Sequence, residues 1–219
     1  MSKLEEVKHR FEWDAQSFAG IYGDSLIPRS FNWIFRKAIF DRYLVTMAES
    51  EDVRDKSILD VGCGSGIYSI EFSRRGARRV LGIDFSEPML AIASASARKI
   101  GVANRIEFMR DEFLGHDFGE EQFDVSIAIG VFDYLEYPGP FLAKMSRLTR
   151  GRLVASFPKF SVLRGPARRL RYRLTGRGDV FYYSAEKVDQ LAELAGIRRH
   201  RLVRIHSSGG GVILVGDNR

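Results

Sequence analysis

The chain has 219 residues, of which 45% are hydrophobic and 28% are charged, so it can bury a core and is not disordered throughout. Its only cysteine, Cys63, excludes an intramolecular disulfide scaffold. No apolar run approaches the ~20 residues of a membrane span, and the charged N-terminus lacks the apolar region of a signal peptide. We therefore expect a soluble, cytoplasmic protein.

The first 54 residues show no strand pattern. Apolar residues at positions 31, 34, 35, 38 and 39 follow helical spacing, and Ile27-Pro28 interrupts the stretch. This segment is predicted to form two or three short helices that cover the rest of the chain.

Residues 56–157 alternate between short apolar runs and helix-like segments. This alternation predicts βαβ units and a parallel sheet with helices on both faces. The predicted strands are 58–61, 80–83, 106–109, 125–129 and 153–156, and the clearest predicted helices are 87–100 and 138–149.

The last part of the chain, residues 184–219, predicts one more helix and a hairpin. The helix begins at Ser184 and ends at Gly196, and the apolar runs 202–206 and 212–215 flank a Ser-Ser-Gly-Gly-Gly turn. We expect one domain over residues 1–219, with its strands in a doubly wound, mostly parallel α/β sheet closed by an antiparallel hairpin.

The net positive charge of the chain comes from the segment 158–183. Residues 159–178 contain seven Lys or Arg and no acid, while the whole chain has a net charge of +6. Leu163, Ala167, Leu170 and Leu174 share one helical face, so 164–177 is predicted to be a basic amphipathic helix. It could lie on an anionic membrane, contact RNA phosphates or cover an acidic substrate, or simply expose a solvated charged face.

A glycine-rich turn follows the first predicted strand in LDVGCGSG, residues 59–66. Gly62, Gly64 and Gly66 allow close approach of a ligand to the backbone, and the following helix offers free N–H groups. Asp60 precedes the turn, where an acid would repel a pyrophosphate but suit an ammonium group. The Gly-x-Gly-x-Gly spacing also differs from the Gly-x-Gly-x-x-Gly of a dinucleotide site.

Further acids follow the next strands at the same edge of the predicted sheet. Asp84 ends the second strand, where an acid can accept hydrogen bonds from a ribose diol, and Asp111 follows the third. Gly130 permits close approach after the fourth strand, and Asp133 lies just beyond it.

These motifs together resemble the class I S-adenosylmethionine-dependent methyltransferases, which have a Rossmann-like fold with seven strands. The resemblance rests on LDVGCGSG (59–66), VLGIDFSEPMLAIA (80–93), IEFMRD (106–111) and FDVSIAIGVFDYLE (123–136), in that order. It implies S-adenosylmethionine as the cofactor and no metal. The implied cofactor-binding residues are Asp60, Gly62, Cys63, Gly64, Gly66, Asp84, Phe85, Met89, Asp111, Glu112, Phe113 and Gly130.

The acceptor is expected to be a small molecule, anionic or lipid-like, methylated on O or N. Segments 1–54 and 158–183 are predicted to cover its pocket, and residues 18–22 and 181–184 loosely resemble porphyrin and lipid-headgroup methyltransferases. Tyr22, Tyr182 and Tyr183 are candidate substrate residues, although packing alone would also explain them. Asp133, Tyr134 and His206 are candidate catalytic residues by position only, and His206 also suits a structural role.

Two other functions remain open from the sequence. An RNA methyltransferase could use the 164–177 arginines, but the Gly-Val-Phe-Asp run at 130–133 differs from the Asn/Asp-Pro-Pro-Tyr of base-amino methylation. A non-catalytic, cofactor-binding interaction domain would keep the same turn and acids. A reactive Cys63 is disfavoured because no base neighbours it in the sequence. A metal site near Asp111 is disfavoured because the typical ligand spacing is missing.

Overall fold

The computed structural model describes residues 40–50, 52–159, 180–205 and 211–218. The predicted N-terminal helices before residue 40, the predicted basic helix 164–177 and the hairpin turn therefore lie outside the described residues. The division of the chain at residues 54, 158 and 184 stays a prediction.

The described residues contain helices and strands in alternation. In chain order they are α1 (40–49), β1 (Ser57–Val61), α2 (Ile67–Arg74), β2 (Arg79–Asp84), α3 (Glu87–Ile100), β3 (Ile106–Arg110), β4 (Phe123–Ala128), α4 (Pro138–Leu148), β5 (Thr149–Pro158), α5 (Ala185–Leu194), β6 (Arg199–Arg204) and β7 (Gly211–Asp217), with 3₁₀ turns at Ala103–Arg105 and Phe132–Tyr134.

The strands form one seven-stranded sheet in the order β3-β2-β1-β4-β5-β7-β6. Strands β1 to β5 are parallel, whereas β7 pairs antiparallel with both β5 and β6. The predicted doubly wound sheet and its antiparallel final hairpin are confirmed. The carboxyl ends of the five parallel strands meet at one edge, which is where such sheets bind ligands.

Local sequence signals set several helix boundaries. Ser86 precedes α3, Pro88 lies in its first turn, and Gly101 ends it with a φ of 81°. Ser184 begins α5 by accepting a hydrogen bond of 3.2 Å from the Lys187 amide.

Strand β5 is longer than predicted. It runs from Thr149 to Pro158, whereas the apolar run covers only 153–156. Gly151 allows this extension, because a Cβ there would collide with the backbone carbonyl of Asp124 on β4. Helix α4 accordingly ends at Leu148, one residue earlier than predicted.

The sheet is covered by apolar side chains on both faces. One cluster includes Phe141 and Met145 of α4 with Leu191 of α5, and the other includes Met47 of α1 with Phe72 of α2. No helix in the described parts of the chain is long and apolar enough to cross a membrane.

Candidate functional site

The glycine turn after β1 has the backbone that its sequence predicts. Gly62, Gly64 and Gly66 have φ values of 68°, 52° and 77°, in the left-handed region that favours glycine. Gly66 also immediately precedes α2, and a Cβ on it would lie 2.8 Å from the Cβ of Ala93. The turn is thus both a bare stretch of backbone and a tight packing point between two helices.

Asp84 holds this turn in place from the end of β2. Its Oδ2 accepts a hydrogen bond of 2.8 Å from the Gly64 amide, and its Oδ1 accepts one of 2.9 Å from the Ser86 amide. The amides of Gly62 and Cys63 donate to the Ile83 carbonyl at 2.8 and 3.2 Å. Burial raises the pKa of Asp84, while the backbone hydrogen bonds act in the opposite direction.

Asp60 lies beneath the turn, between β1 and α2. Its side chain is almost fully buried, and Oδ2 accepts a hydrogen bond of 2.6 Å from the Ser69 hydroxyl. Burial raises the pKa of Asp60 to about 7; the Ser69 hydrogen bond opposes the rise and the Asp84 charge adds to it. Near neutral pH this carboxyl can therefore be neutral or charged. Its predicted position beside the methionine ammonium stays a prediction.

Cys63 packs against the neighbouring strand. Its Sγ lies 3.0 Å from the position of a Cβ on Gly82, and the side chain is 5% exposed. Burial, together with the charges of Asp60 and Asp84, raises the pKa of the thiol well above its ordinary value. A protonated, buried thiol is a poor nucleophile, which favours packing as the role of this side chain.

Asp111 lies at the end of β3, beside Asp84. Its amide donates to the Asp84 carbonyl at 3.2 Å, and its carboxylate accepts hydrogen bonds from the Glu112 amide at 2.7 Å and from His116 Nδ1 at 2.8 Å. The His116 bond is the main cause of the lowered pKa of Asp111. This contact was not predicted, although Asp111 and His116 lie five residues apart in the sequence.

Met89 and Phe85 flank the turn on the side of α3. The Met89 Cε lies 3.2 Å from the position of a Cβ on Gly64, and Phe85 is half-buried directly after β2. Phe113 differs from both, because its ring packs in the hydrophobic core at 4.6 Å from Phe141. Core packing explains its burial, and its predicted contact with the cofactor stays a prediction.

Gly130 marks the same edge at the end of β4. Its φ is 81°, and its amide donates a hydrogen bond of 2.9 Å to the buried Ser156 hydroxyl of β5. The Nη1 atom of Arg42 lies 3.5 Å from the position that a Cβ on Gly130 would take. Neither Arg42 nor Ser156 was predicted, because each reaches the site by tertiary packing of a distant segment.

The candidate acceptor side lies next to Gly130. Asp133 is buried in the 3₁₀ turn after β4, and its carbonyl accepts a hydrogen bond of 3.0 Å from the Phe181 amide. The Tyr183 hydroxyl donates to the Leu135 carbonyl, and burial, assisted by the Asp133 charge, raises the pKa of Tyr183 to about 12. Tyr134 and Tyr182 are both half-buried. Predicted residues Tyr22 and His206 lie outside the described residues.

Two further observations concern a metal site and a depression elsewhere on the surface. Across the described ranges, no group of three or more His, Cys, Asp or Glu residues is arranged to hold a metal ion. A surface depression of about 580 Å³ lies at the opposite edge of the sheet and contains none of the predicted site residues; its lining includes Arg147, Arg150, Arg198 and Arg199.

Comparison with known proteins agrees with this geometry. Residues 58–151 match a family described as a methyltransferase domain. A ubiquinone biosynthesis O-methyltransferase from Pseudomonas fluorescens (strain SBW25) is 30% identical over 151 residues, which cover 68% of this chain and 57% of that protein. The chain contains a class I S-adenosylmethionine-dependent methyltransferase domain. The cofactor of this domain is S-adenosylmethionine, as predicted.

Solved structures share the fold at low sequence identity. Magnesium protoporphyrin IX methyltransferase from Synechocystis PCC 6803, with bound SAH, has a TM-score of 0.78 at 18% identity and covers 98% of this chain and 99% of its own. Geranyl diphosphate C-methyltransferase from Streptomyces coelicolor A3(2) has a TM-score of 0.75 at 12% identity, covering 100% and 99%. A (4+2)-cyclase, with a TM-score of 0.72 at 17% identity, covers 96% of this chain and 94% of its own. The predicted family and fold are confirmed, while the acceptors in these names differ.

Proposed function

We propose that this protein transfers the methyl group of S-adenosylmethionine to an oxygen or nitrogen atom of a small acceptor that is anionic or amphiphilic. The observation that carries the proposal is the hydrogen bond of 2.8 Å between the Gly64 amide and Asp84 Oδ2. It joins the bare glycine turn to an acid at the end of the next strand, at the edge where parallel sheets bind nucleotides.

The residues at this edge suit the chemical groups of the cofactor. Asp84 is suited to accept hydrogen bonds from ribose hydroxyls, and Asp111 and Glu112 to lie at the adenine. Gly62 and Gly64 keep the backbone accessible, and Met89 and Phe85 offer apolar contact on the α3 side. A cofactor bound in this way supplies a methyl group on a positively charged sulfur. The sulfur leaves as a neutral thioether, so its departure needs little assistance.

Catalysis in this proposal is mainly positioning. Holding an acceptor atom in line with the transferred methyl group converts a bimolecular reaction into an effectively unimolecular one. An acceptor hydroxyl or ammonium must also lose a proton. Asp133, Tyr134 and His206 stay the candidates for accepting this proton. Tyr183 is a poor candidate, because its hydroxyl donates a hydrogen bond to the Leu135 carbonyl and its pKa is raised to about 12.

The acceptor class rests on two kinds of support. The basic segment 158–183 favours an anionic molecule or surface. The curated relatives include an enzyme named for O-methylation in ubiquinone biosynthesis, although this chain spans only 57% of its length. Among solved structures, one over nearly the whole chain is named for a magnesium porphyrin.

The basic segment can be tested separately from the cofactor site. Replacing Arg168, Arg169, Arg171 and Arg173 with glutamine should reduce sedimentation with vesicles containing phosphatidylserine and lower acceptor use, while leaving affinity for S-adenosylhomocysteine unchanged. A parallel loss of cofactor affinity would contradict the assignment of this segment to the acceptor or membrane side.

Methyl transfer itself is tested with radiolabelled S-adenosylmethionine and an extract of the source cells. The products are separated into organic-soluble, small aqueous, RNA and protein fractions. Label in either small-molecule fraction would support the proposal, while label in RNA would favour RNA methylation through the arginine-rich segment. An RNA acceptor would also produce a gel shift that weakens steeply with salt.

One observation favours a second candidate function without methyl transfer. A (4+2)-cyclase shares this fold over 96% of the chain, so the fold alone does not establish transfer. Retained cofactor binding without labelled product, in extracts where a known methyltransferase labels its acceptor, would favour a cofactor-binding domain with another role.

A further inference from the structure

The depression at the opposite edge of the sheet brings together side chains from several separate segments. Its volume of about 580 Å³ is within the range of small-molecule sites. The segments are the residue before β4, the end of α4 with the start of β5, the turn from α5 into β6, and the end of β7. The charged residues that line it are four arginines and one acid: Arg147, Arg150, Arg198, Arg199 and Asp217.

Three of these arginines make no ion pair with any acid that the structure describes. Arg150 pairs with Asp124 at 2.8 Å, and Asp217 lies 3.9 Å from Arg152. The guanidinium groups without an acidic partner in the described ranges are those of Arg147, Arg198 and Arg199, and all three residues are exposed. The depression therefore concentrates positive charge that the described acids do not balance.

The end of α4 does not use the Arg147 side chain. A basic residue in the last turn of a helix often interacts with the terminal carbonyls. Here other donors reach them. The Thr149 hydroxyl donates a hydrogen bond of 2.6 Å to the Met145 carbonyl. Asn218 Nδ2 donates one of 2.9 Å to the Ser146 carbonyl. The Arg147 guanidinium is thus available to a partner outside the helix.

The backbone around the depression is fixed by the fold. Asn218 ties the end of β7 to the start of β5, because its amide donates to the Gly151 carbonyl and its Nδ2 to the Thr149 carbonyl, both at 2.9 Å. Ile197 is fully buried, with Cγ2 2.5 Å from the position of a Cβ on Gly216, and so anchors the turn from α5 into β6. A ligand that binds here would not have to order these segments, which favours affinity.

We propose that this depression binds a small, soluble molecule that carries two or more phosphate groups. Guanidinium groups form paired, charge-assisted hydrogen bonds with phosphate oxygens. A terminal phosphate offers three acceptor oxygens and about two negative charges, more than a carboxylate offers. The concave shape favours a small molecule over the flat surface of a membrane. The proposal does not depend on the methyl acceptor, since the glycine turn lies at the other edge of the sheet.

Tripolyphosphate is the probe, because it presents linked phosphates without a base or a sugar. By isothermal titration calorimetry in low salt, Arg147→Gln and Arg198→Gln should each weaken its binding about 3- to 10-fold, and the double variant about 10- to 100-fold. The single losses are modest because exposed charges are screened by solvent. Saturating S-adenosylhomocysteine should not displace the probe, since the two sites lie at opposite edges.

Arg98→Gln is the matched control. Arg98 lies in the last turn of α3, as Arg147 lies in the last turn of α4, and both are exposed, but Arg98 does not line the depression. This variant should bind tripolyphosphate as the wild type does. The variant with four arginines replaced in the basic segment 158–183 should also retain binding, which separates the depression from that segment.

Three results would overturn the proposal. The first is the absence of saturable binding by the wild type at millimolar tripolyphosphate. The second is an equal loss in Arg98→Gln, which would show attraction by overall charge alone. The third is binding of single-stranded RNA or of phosphatidylserine vesicles that depends on Arg147 and Arg198 while tripolyphosphate does not bind. That result would assign the surface to a macromolecule or a membrane.

Discussion

Replacing Asp84 with alanine removes the contact that joins β2 to the glycine turn. The carboxylate accepts hydrogen bonds of 2.8 and 2.9 Å from the amides of Gly64 and Ser86, and we propose that it also accepts them from the ribose. A hydrogen bond to a charged group is worth about 1.5–3 kcal/mol. Loss of the ribose contact should therefore weaken binding of S-adenosylhomocysteine by about one to two orders of magnitude.

The same substitution should also lower stability, though by less than the number of lost bonds implies. Each amide left unpaired costs about 1–3 kcal/mol where water cannot replace the carboxylate. Burial raises the pKa of Asp84, which means that the folded protein already disfavours its charge. Removing that charge offsets part of the loss, so we expect a net destabilisation of about 1–3 kcal/mol.

Asp124→Ala is the matched control. Asp124 accepts hydrogen bonds of 2.8 and 2.9 Å from the amide and hydroxyl of Ser57, but it lies at the opposite edge of the sheet. Calorimetric titration and thermal unfolding of both variants should show a stability loss in each and an affinity loss in Asp84→Ala alone. Wild-type affinity of Asp84→Ala would refute the ribose assignment, and an equal affinity loss in Asp124→Ala would show that the effect is global.

The remaining predictions address other residues of the site. In the cofactor-free protein, the folded-state pKa of Asp60 is about 7 and its ordinary value is 3.8, so its neutral form stabilises the fold at low pH and that contribution is lost as the pH rises towards 7. Chemical denaturation from pH 4 to 8 should show this decline in the wild type and a smaller one in Asp60→Asn, where Asp84 still contributes. An equally steep decline in Asp60→Asn would contradict the assignment. Gly66→Ala should cost about 1–3 kcal/mol more than Gly101→Ala, because both glycines have a positive φ but only the first would collide with Ala93. Tyr183→Phe should lower stability by about 0.5–1.5 kcal/mol through loss of the bond to Leu135, with methyl transfer retained; abolished transfer at wild-type stability would instead make Tyr183 a substrate residue.

The backbone of the glycine turn was predictable because its signals are local. The glycine turn needs three residues with positive φ, and the sequence has glycine at each of these positions: Gly62, Gly64 and Gly66. The position of Asp84 follows from the strand that it ends, because parallel strands place their carboxyl ends at one edge. What the sequence did not reveal is that Asp84 bonds to the turn itself, since a distance between side chain and backbone depends on the register of two strands.

The direction of the Phe113 side chain could not be read from the sequence. Its ring packs in the hydrophobic core, with its centroid 4.6 Å from that of Phe141. A motif places a residue on a loop or strand, but the loop geometry decides which way the side chain points. The predicted contact of Phe113 with the cofactor stays a prediction.

The residues of the acceptor side are harder to predict from the sequence, and the reason is physical. Its described candidates come from the 3₁₀ turn Phe132–Tyr134 and from residues 180–183, which tertiary packing brings together. Methyl transfer from a charged sulfur asks mainly for alignment, and alignment can be provided by many combinations of side chains. No fixed residue type is then required at Asp133 or Tyr134, whereas the ribose and the ammonium always need acceptors. The chemistry of the reaction therefore leaves a strong sequence signal for the cofactor and a weak one for the acceptor.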